Sequence, residues 1–261
     1  TKELAATDLA HTLFVKLPKF ALVDISSTIS SGGYKFGGAA TASNGKVIFA
    51  PNIADGVGVF DPSDNSFALV DVASTISTNA NFGAAATASN GKIIFAPNNA
   101  DGVGVFDPSD NSFALVDIAS TISTDFKFLG AAAASNGKII FAPYNADGVG
   151  VFDPSDNSFV LVDIASTITG DLKFLGAATA GNGKVIFAPH GADGVGVFDP
   201  SDNSFVLVDI ASTISGSSKF GGAAAAGNGK VIFAPFNADG VGVFDPSAPP
   251  EEAFTLVDIA S

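Results

Sequence analysis

The chain has 261 residues, 26 acidic against 12 basic side chains and a formal net charge of -14, with no cysteine, methionine or tryptophan and lysine as its only basic residue. The charge and the missing arginine exclude nucleic acid and anionic membrane surfaces, which need basic footprints. The missing cysteine excludes disulfides, thiolate nucleophiles and cysteine metal sites. At 47% hydrophobic residues the chain is no disordered acidic tail, and no apolar run approaches the ~20 residues that cross a bilayer.

Residues 1–28 read as an N-terminal extension. Thr1 to Lys19 lack the charged, hydrophobic and small-residue order of a signal peptide. Leu13 to Leu17 and Phe20 to Ile25 read as two short strands. From 29 to 261 a repeat takes over. Asn-Gly-Lys recurs at 44–46, 90–92, 136–138, 182–184 and 228–230, a constant spacing of 46 residues. A period in the 40s belongs to a four-stranded propeller blade or to a helical solenoid unit, and the pattern inside each copy separates the two.

In the first copy, run one (Phe36 to Ser43) ends at Asn44-Gly45, a two-residue hairpin signal. Run two, Lys46-Val47-Ile48-Phe49-Ala50, stops at Pro51, which cannot donate to a ladder. Asp55-Gly56 opens run three, Val57-Gly58-Val59-Phe60. Asp61-Pro62-Ser63-Asp64-Asn65 makes the next turn, and Phe67-Ala68-Leu69-Val70-Asp71-Val72 is run four. No helical stripe appears. Four short antiparallel strands, five times over, predict an all-β, five-bladed β-propeller in one domain. Run one is almost all Ala and Gly, as crowding around an axis requires, and it is nearly identical from copy to copy. Phenylalanines at fixed positions predict the core between blades.

The inner-strand motif occurs five times but the outer-strand motif six, at Phe20, Phe67, Phe113, Phe159, Phe205 and Phe254. Either terminus can therefore supply the outer strand of the last blade. The strand left over packs elsewhere or pairs with a second chain, and a six-bladed ring is the alternative architecture. The order of small inner strand, Asn-Gly-Lys hairpin, Phe-Ala-Pro strand, Gly-Val-Phe-Asp-Pro strand and Leu-Val-Asp strand resembles NHL- and YVTN-type propellers. It is similar also to tandem-repeat propellers of marine microalgae, and the near-identity of the copies to a consensus-engineered propeller. The resemblance spans most of the chain, implies the propeller fold and carries no catalytic motif.

Strand alternation puts the hairpins after runs one and three on one face, which is nearly uniform. The connectors on the opposite face carry most of the variation. After the run-two proline come Asn52, Asn98, Tyr144, His190 and Phe236, one per blade, and the blade-to-blade connectors vary too. Variable loops on a rigid scaffold are a common recognition design, so these five residues are the candidate ligand contacts for a protein or carbohydrate; drift of exposed loops is the competing reading.

Each complete blade also supplies four aspartates, Asp55, Asp61, Asp64 and Asp71 in the first. Turn chemistry is the expectation for them. Calcium is the alternative, weakened by the lack of a twelve-residue loop with a terminal glutamate. Only His11 and His190 could serve a nucleophilic triad, and neither neighbourhood carries a nucleophile signature. The expectation is a non-catalytic binding or scaffold propeller without a cofactor. A structural subunit of a larger assembly and a metal-dependent hydrolase are the alternatives. No sequon or cysteine fixes the compartment; a soluble, secreted or lumenal protein is consistent with the sequence.

Overall fold

The 46-residue copies fold one sheet at a time, since each carries the turns its own strands need. A computed structural model describes residues 21–29, 32–76 and 80–259, so the expected strand Leu13 to Leu17 and Phe20 lie outside the described residues. Blade 1 holds β1 (Phe36–Thr41), β2 (Val47–Pro51), β3 (Gly56–Asp61) and β4 (Ser66–Asp71). Blade 2 holds β5 (Phe82–Thr87), β6 (Ile93–Pro97), β7 (Gly102–Asp107) and β8 (Ser112–Asp117). Blade 3 holds β9 (Phe128–Ala133), β10 (Ile139–Pro143), β11 (Gly148–Asp153) and β12 (Ser158–Asp163). Blade 4 holds β13 (Phe174–Thr179), β14 (Val185–Pro189), β15 (Gly194–Asp199) and β16 (Ser204–Asp209). Blade 5 holds β17 (Phe220–Ala225), β18 (Val231–Pro235), β19 (Gly240–Phe244) and β20 (Phe254–Asp258). Each sheet runs in simple chain order, which makes the fold a five-bladed β-propeller rather than the six-bladed alternative.

The Asn-Gly signal marks a hairpin of a different type from the one expected. Gly45 N donates to Ala42 O at 3.0 Å and Ala42 N to Lys46 O at 2.8 Å. Only Gly45 of the pair has a positive φ, +84°. This is a type I turn followed by a left-handed glycine, the three-residue hairpin loop. Asn44 Oδ1 accepts the Lys46 N–H at 3.1 Å, and its amide reaches across to Pro108 O of blade 2 at 3.3 Å. Asn90, Asn136 and Asn182 make the same bridge to Pro154, Pro200 and Pro246. The asparagine is thus fixed by the next blade as well as by its own turn. The prolines end strands rather than precede their ends: Pro51 pairs with Phe36 at the edge of the β1–β2 ladder.

The inner strands approach so closely that added carbon would collide. A Cβ on Gly38 would stand 2.9 Å from Ala84 Cα, which explains the Ala/Gly composition of run one. Successive inner strands pack in the series β1–β5–β9–β13–β17. Between blades lies one repeated core. The downstream face of one blade (Ala50, Ile48, Val57 in blade 1) meets the upstream face of the next (Phe82, Phe95, Phe106 in blade 2). The described residues form four such cores, one between each consecutive pair of blades.

The chain end supplies the outer strand of blade 5, since β20 pairs with β19 in register Phe244 to Phe254. The N-terminal copy of that motif is not a strand over residues 21–25. Val23 and Ile25 instead line an open apolar hollow with Phe36, Phe49, Phe60 and Phe67 on the upstream face of blade 1.

Candidate ligand-binding site

The variable face is built on a bonding scheme that repeats while its side chains change. Within blade 3, Tyr144 N donates to Lys127 O at 2.9 Å, and Tyr144 O accepts Lys173 N of blade 4 at 2.9 Å. Asn52, Asn98 and His190 likewise accept from Asn81, Lys127 and Lys219 of the following blades. These residues therefore sit at the axis-side corner of each sheet, where backbone bonding fixes position and leaves the side chain open to variation.

The five predicted positions divide by what their side chains do. Asn52 Nδ2 donates to Phe82 O at 3.0 Å, and His190 Nδ1 lies 3.2 Å from Phe220 O, the equivalent carbonyl at the seam of blades 4 and 5. Both side chains join neighbouring blades, a role that position in sequence did not reveal. A carbonyl can only accept, so the neutral His190 ring carries its proton on Nδ1 and keeps the Nε2 lone pair. Asn98 is 3% exposed and its Oδ1 has no hydrogen-bond partner among the described residues.

Tyr144, His190 and Phe236 come together. Tyr144 and His190 rings lie 5.7 Å apart at 41°, and His190 and Phe236 rings 5.5 Å apart at 81°, within the range of favourable aromatic pairs. Burial pushes the Tyr144 phenol above its ordinary pKa. Phe236 is 63% exposed, unlike the phenylalanines at the fixed blade positions.

The structure adds residues beyond the five predicted positions. At the second inner-strand position the copies read Gly37, Gly83, Leu129, Leu175 and Gly221, so the inner strands are not uniform: blades 3 and 4 carry leucine. A Cβ on Gly221 would meet the Phe236 ring at 3.2 Å and Leu175 Cδ2 at 3.7 Å, which places Leu175 beside the aromatic series. Aligning the five copies column by column reveals this break. A second column is Tyr34, Ala80, Phe126, Leu172 and Ser218, all non-glycine residues with φ between 51° and 60°. Tyr34, Phe126 and Leu172 are exposed as well.

Lys127, Lys173 and Lys219 lie one residue beyond that column and are each 1% exposed. Their ammonium groups are spent on carbonyls: Lys127 on Asn98 O at 3.4 Å, Lys173 on Asn145 O at 3.4 Å and on Gly170 O, Lys219 on Ala192 O at 3.0 Å. Burial lowers the pKa of all three, with nearby aspartates acting against it.

Three of the four aspartates of a blade work in turns, while the fourth, as Asp193 in blade 4, lies 3.7 Å from the Lys219 ammonium. Asp61 Oδ1 accepts Ser63 N at 2.9 Å and Ser63 Oγ at 2.6 Å, Asp64 accepts Ser66 N at 2.9 Å, and Asp71 accepts Ala73 N at 2.9 Å. Asp71 closes β4, so its place at the end of an apolar strand is an Asx turn. Among the described residues no three His, Asp or Glu side chains are grouped to hold a metal ion.

Known proteins relate to this chain through fold. No family model matches and no curated protein matches the sequence. Virginiamycin B lyase from Staphylococcus aureus is similar in structure at a TM-score of 0.68 and 14% identity, over 90% of this chain and 73% of that one. A streptogramin B lyase gives 0.69 and 16%, over 90% and 72%. The extracellular domain of a putative one component system from B. thetaiotaomicron gives 0.66 and 14%, over 90% of this chain and 33% of that chain. At these identities the likeness is one of fold.

Proposed function

We propose that the chain is a non-catalytic recognition propeller that holds a protein or carbohydrate ligand on the variable face, over blades 3 to 5. The observation that carries this reading is the ring series Tyr144–His190–Phe236, built at a position where near-identical copies diverge and flanked by Leu175. The rings offer an apolar surface, and His190 Nε2 offers an acceptor to a ligand hydroxyl or amide N–H. The Nδ1 contact with Phe220 O fixes the orientation of the His190 ring. The opposite face carries the Asp61-type carboxylates, which are engaged in turns.

Glycan and peptide arrays probed with the full chain and with Tyr144→Ala/Phe236→Ala test the proposal. Loss of two aromatic contacts of roughly 1 kcal/mol each lowers affinity for the bound probe by about tenfold or more. Undiminished binding by the double variant refutes the site. An extracellular domain shares the fold, which is consistent with a ligand met outside the cell.

A further inference from the structure

Four blades present their downstream face to a following blade, and the fifth has no follower among the described residues. Ile94, Ile140 and Ile186 on these faces are 0% exposed, as are Ala96, Ala142 and Ala188. In blade 5 the equivalent Ile232 is half-buried and Ala234 exposed, and an open apolar hollow runs along Ala224, Ile232, Ala234 and Val241. On blade 1, Phe36, Phe49 and Phe60 are half-buried, whereas their equivalents Phe128, Phe141 and Phe152 are 0% exposed. The two unmatched faces are the two halves of the core that the chain builds four times.

The hydrogen bonding stops at the same seam. The asparagine bridge runs from Asn44 to Asn182, and the fifth copy, Asn228, caps its own turn through Lys230 N at 3.2 Å. Residues 21–29 meanwhile reproduce the trailing edge of a blade. Asp24 Oδ1 accepts Ser26 N at 2.9 Å, as Asp71 accepts Ala73 N at 2.9 Å. Thr28 N and Ile29 N donate to Ile25 O at 3.0 and 3.1 Å, as Thr75 N and Ile76 N donate to Val72 O at 2.8 and 3.1 Å. Ile29 is buried like Ile76. Wherever else this element occurs it follows a complete sheet, yet the inner strands of this one are not among β1–β20.

We infer that the seam between blades 5 and 1 is the docking site for two further blades of the same 46-residue repeat, the second taking residues 21–25 as its outer strand. The wedge presents a phenylalanine face to Ile232 and Ala234 of blade 5 and an Ala/Ile/Val face to Phe36, Phe49 and Phe60 of blade 1. The number two comes from size. The portion of this chain that carries five blades fills 73% and 72% of two chains of the same fold, the share that five of seven equal units would take. A ring of seven lies within the usual four to eight blades of propellers. A second whole copy brings five blades to a gap of two and does not fit.

The test compares the 261-residue chain with versions extended after Ser261. One extension adds a single copy of the sequence Thr167–Ser212. The second adds that copy followed by Thr167–Asn203, which stops short of its own outer strand. The third adds three full copies. The parent is expected to bind an apolar-surface dye as a monomer in native mass spectrometry. The second extension alone is expected to lose dye fluorescence several-fold and to gain in thermal midpoint. Ile232→Asp then lowers the midpoint of that closed form much more than that of the parent, while Ile94→Asp, in an existing core, lowers both alike. A parent that binds no dye, a parent that is a dimer, tighter closure by one or three copies, or equal losses from Ile232→Asp each overturn the inference.

Discussion

Phe49 and Phe141 occupy the same position in β2 and β10, and their own sheets hold them alike. Phe49 lies 5.5 Å from Phe36 at 38°, and Phe141 lies 5.6 Å from Phe128 at 38°. The difference lies across the seam. Phe141 is 0% exposed in a core with Ile94, Ala96 and Val103 of blade 2, whereas Phe49 faces Val23 and Ile25 and is half-buried. Alanine at either site deletes this ring pair, and at Phe49 also the 6.4 Å contact with Phe67, so a smaller loss at Phe49 measures the core between blades. Truncating a fully buried phenylalanine costs about 3–5 kcal/mol. At Phe49, part of the ring is already hydrated and water can enter the space left, so about half that loss is expected.

Urea unfolding of Phe49→Ala and Phe141→Ala reads the two losses. Repeat arrays strain the two-state assumption, so native-state hydrogen exchange at β2 and β10 should accompany it. Phe141→Ala is expected to lower the opening free energy around blades 2 and 3 by about 1.5–2.5 kcal/mol more than Phe49→Ala lowers that of blade 1. Equal losses would refute the claim that the upstream face of blade 1 lacks a packed neighbour.

The asparagine bridge gives a second contrast. Asn136→Ala removes both the 2.8 Å bond to Pro200 O and the cap on Lys138 N, whereas Asn228→Ala removes a turn cap. The first should cost about 1 kcal/mol more in chemical denaturation, and parity would show that the bridge contributes nothing. Acid gives a third. Asp61, Asp107, Asp153, Asp199 and Asp245 are held below the ordinary carboxylate pKa, first by the hydroxyl and then by the backbone N–H of the serine two residues on. Since the folded pKa is the lower one, this stability is present above the unfolded value near 4 and is lost as pH falls through the folded values. The thermal midpoint should fall below about pH 4, and less steeply once the five serines are alanine; an unchanged pH profile would assign the acid sensitivity elsewhere.

The blade was legible because every strand boundary is written in one copy and then repeated. Pro51 ends β2, Asp55-Gly56 opens β3 and Asp61-Pro62 closes it, and the phenylalanines of β1, β2 and β3 occupy the face between blades. The hairpin type was not legible, because Asn-Gly serves both a two-residue loop and a type I turn with a left-handed glycine. The pull of Pro108 O on Asn44 is a contact 64 residues away, beyond any local signal. The open seam escaped for a related reason: a repeat specifies what each blade accepts on either side but not whether a neighbour is present. At the candidate site, divergence among copies located Tyr144, His190 and Phe236. It gave no sign that Asn52 and His190 hold a neighbouring carbonyl, because that carbonyl belongs to the next copy.

The left-handed column separates what folding demands from what it tolerates. Tyr34, Phe126 and Leu172 hold φ of 51°, 53° and 59°, a region where L side chains other than Asn and Asp are disfavoured by roughly 1–2 kcal/mol. The backbone there is fixed by bonds such as Asn145 N to Phe126 O and Gly191 N to Leu172 O, at 3.0 and 2.7 Å, and any residue could supply them. Burial does not offset the strain, since Phe126 is 44% and Leu172 41% exposed. Glycine should therefore stabilise the fold at both positions, by about 0.5–1 kcal/mol each once its greater unfolded entropy is subtracted. Both neighbour the ring series on blades 3 and 4. If that face recognises a ligand, Phe126→Gly/Leu172→Gly gains thermal stability and loses affinity for the same array probes that Tyr144→Ala/Phe236→Ala releases. A variant that gains stability with undiminished affinity shows that the strained side chains lie outside the ligand's reach, and confines recognition to Tyr144, His190, Phe236 and Leu175.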